Sequence, residues 1–206
     1  MIQPVLACLD LEGVLVPEIW VNVADKTGIE ELSLTTREIP DYDVLMRRRL
    51  AILNQHGLRL QDIQSVISTM APLDGAREFL AWLREQCQVI ILSDTFYEFA
   101  QPLMRQLSYP TIFCNQLEID EHERVANYHM RLHDQKRQSV RRLKELHFHV
   151  IAAGDSYNDT PMLGEAHRGI FFCPPSKIAD EFPQFPVTWT YEELKKQFCE
   201  AGGLKP

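Results

Sequence analysis

Short apolar runs alternate along the chain with segments whose apolar residues recur at helical spacing. Residues 5–9 (VLACL) form an apolar run that suits a strand buried on both faces, and it stops abruptly at Asp10. Residues 89–92, 111–114, 150–153 and 169–173 are further strand candidates. Between them, residues 75–86 bring Phe79, Leu80 and Leu83 to one face of a helix capped by Asp74. Helices are also expected over 97–107, 136–146, 161–166 and 190–199, and a loose hairpin-like excursion over 116–132. Strand, helix and strand in regular alternation with short connections predict a parallel sheet covered by helices on both sides.

One segment breaks this alternation. From 17 to 71 the pattern is helical with polar breaks, most clearly over 42–56, where apolar residues fall at 42, 45, 46, 50 and 53, and over 60–70. The chain therefore divides into an α/β core, residues 1–16 and 72–206, and a helical insertion, 17–71, placed after the first strand. A flexible tail is expected over 201–206.

Composition narrows the classes of function. In 206 residues, 45% hydrophobic and 24% charged, there is enough material for one domain with an elaboration. The 29 Asp and Glu against 21 Lys and Arg give a formal charge of -8, which argues against nucleic acid as a partner. No stretch approaches the ~20 apolar residues of a membrane span, so no membrane partner is expected. The five cysteines (Cys8, Cys87, Cys114, Cys173, Cys199) are widely spaced and read as reduced core residues of a cytoplasmic protein.

The chemistry-bearing residues lie at strand ends. Asp10 closes the first strand, and GDSYNDTPM after the run 150–153 places Asp155 and Asp159 at another. In open α/β sheets ligands gather at the carboxyl ends of strands. Carboxylates from two such ends can converge on one hard cation, typically Mg2+, an arrangement suited to phosphoryl transfer.

Four blocks in chain order carry a resemblance. Asp10-Leu-Glu-Gly-Val, Ser93 at the end of VIILS, Lys136, and Gly154-Asp-Ser-Tyr-Asn-Asp159 resemble the four motifs of the haloacid dehalogenase superfamily of phosphatases. The insertion resembles the helical cap of its phosphoserine phosphatase branch. MAPLDGA, GDSYNDTPM, Glu18 and the Arg49 of YDVLMRRRL point to the same branch. The resemblance implies a Rossmann-like parallel-sheet core with a helical cap that governs substrate specificity. It also implies O-phosphoserine as substrate. Glu12, where the family usually has Asp, resembles the bifunctional members that pass the phosphoryl group on to homoserine. Another small phosphomonoester remains the alternative substrate.

Residue by residue, the resemblance implies that Asp10 attacks phosphorus and forms an aspartyl-phosphate. Glu12 protonates the leaving oxygen and then activates the acceptor. Mg2+ is held by Asp10, the main-chain carbonyl of Glu12 and Asp155, with Asp159 supporting from outside. Ser93, the backbone amide of Asp94, Lys136 and Asn158 surround the phosphate, and His133, one helical turn before Lys136 by its spacing, either faces it or is a surface histidine. Glu18 and Arg49 bind the ammonium and carboxylate of the amino acid, and Met46 packs on its methylene. A signalling receiver module also combines a phosphorylatable Asp, a hydroxyl, a Lys and Mg2+. It lacks the insertion and the acidic residue two positions after the Asp.

Overall fold

Strand β1 (Val5–Leu9) turns Leu6 and Cys8 to one face of a sheet and Ala7 and Leu9 to the other, and all four are buried. Cover on both faces is why this run tolerates no polar side chain. The computed structural model describes residues 3–35, 38–39 and 41–205; Thr36, Arg37 and Pro40 of the expected insertion, and Pro206 of the expected tail, lie outside the described residues.

After β1 come α1 (Ile19–Thr27), a 3-10 turn (Glu30–Ser33), α2 (Tyr42–Gln55) and α3 (Leu60–Ser68). Asp41 starts α2 by accepting from the amides of Asp43 and Val44. Then follow α4 (Ala76–Gln86), β2 (Gln88–Phe96), α5 (Tyr97–Gln106), β3 (Thr111–Ile119), β4 (Val125–His129) and α6 (Gln135–Glu145). Strand β5 (His149–Gly154) leads through a 3-10 turn (Tyr157–Asp159) into α7 (Thr160–Glu165). The chain closes with β6 (Arg168–Phe172), α8 (Ser176–Glu181), β7 (Val187–Thr188) and α9 (Tyr191–Gly202).

The strands form one sheet in the order β4-β3-β2-β1-β5-β6-β7, parallel except for the β3–β4 hairpin. The chain winds outward from β1 through β2 and β3, then returns to the other side of β1 with β5. The carboxyl ends of β1 and β5 thus border the point where the winding reverses, the crevice in which such sheets bind ligands. Helices α4, α5 and α9 contribute Phe79, Leu103 and Phe198 to the core on one face, while α6, α7 and α8 contribute Val140, Met162 and Ile178 to the other. The first of these cores continues into the helical insertion through Trp20, Val23, Met46, Leu53 and Ile63.

Several local expectations are corrected. Helix α4 is capped by Gly75 at φ +84°, not by Asp74, because the chain turns there through a left-handed conformation that glycine adopts without strain. Strand β2 does not stop at Ser93 but runs on to Phe96 through an irregularity in its pairing with β3. The excursion over 116–132 is the expected hairpin, with Leu117 opposite Tyr128 and Glu118 opposite Asn127, but its first arm is β3 itself, which runs past Cys114 to Ile119. Ala201 and Gly202 belong to α9, anchored by buried Leu194 and Phe198, so the tail begins only at Gly203, whose φ of +63° ends the helix. All five cysteines are free, but only Cys8 and Cys114 are fully buried and Cys173 is exposed.

Candidate active site

The amide of Asp10 donates to the carbonyl of Ala153 at 2.9 Å, which ties the first residue after β1 to β5. This pairing brings Asp10, Asp155 and Asp159 together, with one carboxylate oxygen from each within 4.8 Å of the others, all three buried. The close approach needs glycine: a Cβ at Gly13 would lie 2.4 Å from the carboxyl carbon of Asp155, and one at Gly154 would lie 2.4 Å from that of Asp159.

Lys136, at the start of α6, reaches into the cluster. Its Nζ lies 2.8 Å from Asp10 Oδ1 and 2.7 Å from Asp159 Oδ1. Asp159 is further fixed by the amides of Asp155 and Ser156, which donate to its Oδ2 at 3.0 and 3.1 Å. Burial alone would lower the pKa of Lys136, but Asp10 and Asp159 overrule it and hold the ammonium well above its ordinary value. Burial, reinforced by Asp159, pushes Asp10 upward, and Lys136 opposes that shift only in part. Asp155 is pushed up to about 7 by burial and by Asp159 and Glu18. Three buried carboxylates against one ammonium leave an excess of negative charge that a hard divalent cation would neutralise. Asp159 is already committed to Lys136 and two amides, so Asp10 and Asp155 are the side chains that fit such an ion.

Above this floor lies a cavity of about 500 Å3, lined by Asp10, Glu12, Glu18, Ser93, Lys136 and Asp155 together with Arg49 and Trp20 of the insertion. Glu12 accepts from the amide of Ile19, the first residue of α1, at 2.9 Å. Burial, with Glu18 close by, pushes its pKa up to about 8. Glu18 is exposed on the cavity wall. Arg49 is buried; Nη2 donates to the carbonyl of Leu34 at 2.7 Å, and the guanidinium carbon stands 4.5 Å over the ring of Trp20. Its Nε has no partner among the described residues, and burial brings its pKa down to about 10. A buried cation with an unused donor is suited to an anionic group entering from the cavity.

Residues 6–167 match the family of haloacid dehalogenase-like hydrolases. The chain belongs to that family. As a haloacid dehalogenase-like hydrolase it is 64% identical over 196 residues to the phosphoserine phosphatase ThrH of Pseudomonas aeruginosa, covering 95% of this chain and 96% of that one. A phosphoserine phosphatase of Pseudomonas syringae pv. tomato is likewise 64% identical, over 95% of this chain and 83% of its own length. Among solved structures, an apo phosphoserine phosphatase superposes with a TM-score of 0.77 at 20% identity, covering 95% of this chain and 98% of that one. At that identity the likeness bears on the fold alone.

Most residues expected at the hydrolase's site line this cavity, but two do not. Met46 is fully buried in the core, with its sulfur 3.8 Å from Arg49 Nη1, and Leu45 takes the place on the cavity wall. Neighbouring helix positions are turned about 100° apart, so small rotations decide which one faces a site. His133 is exposed and lines an adjoining cavity, because Asp134 at φ +50° interrupts the chain before α6 and carries His133 off the helix. Ser93 is buried, and its Oγ accepts from the amide of Thr95 at 3.2 Å, which leaves its hydroxyl proton to donate.

Three residues that sequence reasoning missed complete the arrangement. Trp20 is the shelf under Arg49, Tyr42 donates to the carbonyl of Asp94 at 2.9 Å, and Gln135 donates to the carbonyl of Ser93 at 2.6 Å. Tyr42 has a signal in the helical pattern of α2, where it is the first of the apolar positions. Gln135 had its place beside Lys136, while the shelf under Arg49 follows only from how the insertion packs on the core.

Proposed function

We propose that this chain is a Mg2+-dependent phosphoserine phosphatase that also transfers the phosphoryl group of O-phosphoserine to homoserine. One observation carries the reading: Asp10 and Lys136 on the floor, and Glu18 and Arg49 on the walls, border a single cavity of about 500 Å3. That is a phosphate site facing an ammonium and carboxylate site within one small-molecule cavity. The 64% identity to two phosphoserine phosphatases supports it.

In this mechanism Asp10 Oδ attacks phosphorus, the ester bond to the serine oxygen breaks, and an aspartyl-phosphate forms. Glu12 delivers a proton to the departing oxygen, a role suited to a carboxyl group whose pKa stands near 8. The resulting carboxylate then takes the proton of the incoming hydroxyl, from water or homoserine, which attacks the phosphoryl group and frees Asp10. Lys136 and the Ser93 hydroxyl offset charge on the phosphoryl oxygens. Asp10, Asp155 and the main-chain carbonyl of Glu12 would hold Mg2+, and its Lewis-acid charge would offset the repulsion between nucleophile and phosphate. Arg49 and Glu18 hold the amino-acid end, and they remain as a site for homoserine, which carries the same two groups on a chain longer by one methylene. The helical insertion, as a cap, supplies this specificity. Five free cysteines and the want, among the described residues, of a helix long and apolar enough to cross a membrane accord with a cytoplasmic enzyme.

The experiment is incubation with O-phosphoserine and Mg2+, with and without homoserine, following inorganic phosphate and O-phosphohomoserine together. Phosphate release that homoserine diverts to phosphohomoserine is the expected result. Release that saturating homoserine leaves unchanged removes the transferase half. No release from phosphoserine, with turnover of another compound in a phosphomonoester screen, moves the reading to a phosphatase of the same fold with a different small substrate.

A further inference from the structure

Beside the cavity described above lies a second one, of about 930 Å3, which the proposed reaction does not use. The two are contiguous: Tyr42, Asp94, Lys136, Ser156 and Asn158 line both. The second differs in character, since Met130, Tyr157, Pro161 and Ile178 give it apolar walls. Between the two stands Asp94. Its Oδ2 accepts from Asn158 Nδ2 at 3.0 Å and its Oδ1 from Gln135 Nε2 at 3.0 Å. Its main-chain carbonyl accepts from Tyr42 at 2.9 Å and Asn115 Nδ2 at 3.1 Å. Four segments of the fold, α2, β3, the start of α6 and the turn after β5, therefore converge on one residue at the end of β2.

We propose that Asp94 is a positioning and specificity-determining residue whose bridge to Asn158 and Gln135 partitions one larger active-site space and shuts phosphomonoesters with bulky apolar leaving groups out of the second compartment. Both carboxylate oxygens of Asp94 are engaged by side-chain amides, and a substrate phosphate would meet them as like charge, so Asp94 serves as a wall rather than a ligand. The compartment behind it has Lys136 at its border with the phosphate site and apolar side chains beyond. An aromatic phosphomonoester fits that chemistry, with its phosphate at Lys136 and its ring against Met130, Pro161 and Ile178.

This inference rests on the phosphatase reading but not on phosphoserine as the substrate. The test compares kcat/KM for 4-nitrophenyl phosphate with that for a small phosphoryl donor, acetyl phosphate, and separately with that for phosphoserine, in the wild type, Asp94→Gly, Asn158→Ala and the double variant. Opening the wall should raise the ratio of 4-nitrophenyl phosphate to acetyl phosphate about tenfold or more, carried by KM for the aromatic ester, a scale set by what pocket fit discriminates. Asn158→Ala opens the same wall from the other side. It should give the same shift, and the double variant should add little, as expected of residues that act through one contact. A loss equal for all substrates, with the ratio unchanged, would mean that Asp94 is merely structural and would overturn the proposal. If Asp94→Gly does not fold, Asn158→Ala, at an exposed position, decides the question by the same ratio. Failure of the wild type on phosphoserine alone would overturn the substrate assignment and leave the ratio between the other two donors as a valid measure of the wall.

Discussion

The carboxylate of Glu12 accepts a hydrogen bond from the amide of Ile19 at 2.9 Å, so the proposed acid–base group of the core also satisfies the first free N–H of α1 in the insertion. Glu18, the residue before α1, makes no side-chain cap of its own. The length of Glu12 is what lets a residue two positions beyond the nucleophile reach that helix end. An N–H group and the helix dipole favour the ionised carboxylate, while burial and Glu18 disfavour it, and the balance stands at about 8.

Glu12→Gln keeps an oxygen for the Ile19 amide but cannot carry a proton. Turnover should fall by about 10^2–10^4, the usual worth of a positioned acid or base, while unfolding by urea stays near that of the wild type. Glu12→Asp should show the opposite emphasis. It retains more activity but loses about 0.5–2 kcal/mol of stability with the capping hydrogen bond. A Glu12→Gln enzyme that kept wild-type turnover would remove Glu12 from the chemistry.

Asp10, Asp155 and Asp159 crowd one ammonium, and a divalent cation bound only by the folded chain should stabilise it by mass action, about 2.7 kcal/mol at a hundred times its dissociation constant. Thermal melts with chelator and with added Mg2+ should therefore differ clearly in the wild type. Asp155→Asn should be at least as stable as the wild type in chelator, because it removes a carboxylate that burial already disfavours, and it should barely respond to Mg2+. An undiminished response in the variant would place the ion elsewhere.

Arg49 is buried with one donor unused, and truncating it should cost about 2–5 kcal/mol in kcat/KM for phosphoserine, the range for breaking a buried charge pair. Phosphoethanolamine lacks the carboxylate and should be turned over by Arg49→Ala almost as by the wild type. Equal losses for the two compounds would show that Arg49 holds the insertion in place rather than the substrate.

The parts of this site legible in the sequence are those that local pattern determines. Asp10 and Asp155 each end an apolar run, and a buried strand that stops at a carboxylate can be recognised without knowing its neighbours. Ser93 was placed near its strand's end although β2 continues to Phe96, since polar residues after an apolar run look like a stop when an irregular ladder carries them on. The two-residue β7 escaped notice because two residues are too short for a period to emerge, and α8 because Pro174, Pro175 and Pro183 bracket it with turn signals. The expectations that Met46 packs on the substrate and that His133 is a phosphate neighbour differ from the structure for another reason. Each depended on the orientation of a segment, and tertiary packing at α2 and the left-handed Asp134 set that orientation. The wall built on Asp94 joins residues as far apart in sequence as Tyr42 and Asn158, which no local pattern can bring together.

A last prediction concerns the opposite end of the sheet from the site. His167 Nδ1 accepts from the amide of Val150 at 3.0 Å, and its ring stacks on His149 with centroids 4.7 Å apart. Partial burial, then His149 and Lys144, hold its pKa below the ordinary 6.5. A histidine whose pKa is depressed by folding contributes stability above the unfolded value, and loses it as pH falls through 6.5 toward the folded value. Protonating Nδ1 also deprives the Val150 amide of its acceptor. His167→Asn places a carbonyl oxygen near the position of Nδ1 and cannot be protonated, so it should keep the hydrogen bond at every pH. Urea unfolding should therefore show the wild type losing stability relative to His167→Asn between about pH 8 and pH 5, with the change centred near or below the ordinary histidine value. A stability difference that does not vary with pH would mean that Nδ1 of His167 is not the acceptor for Val150.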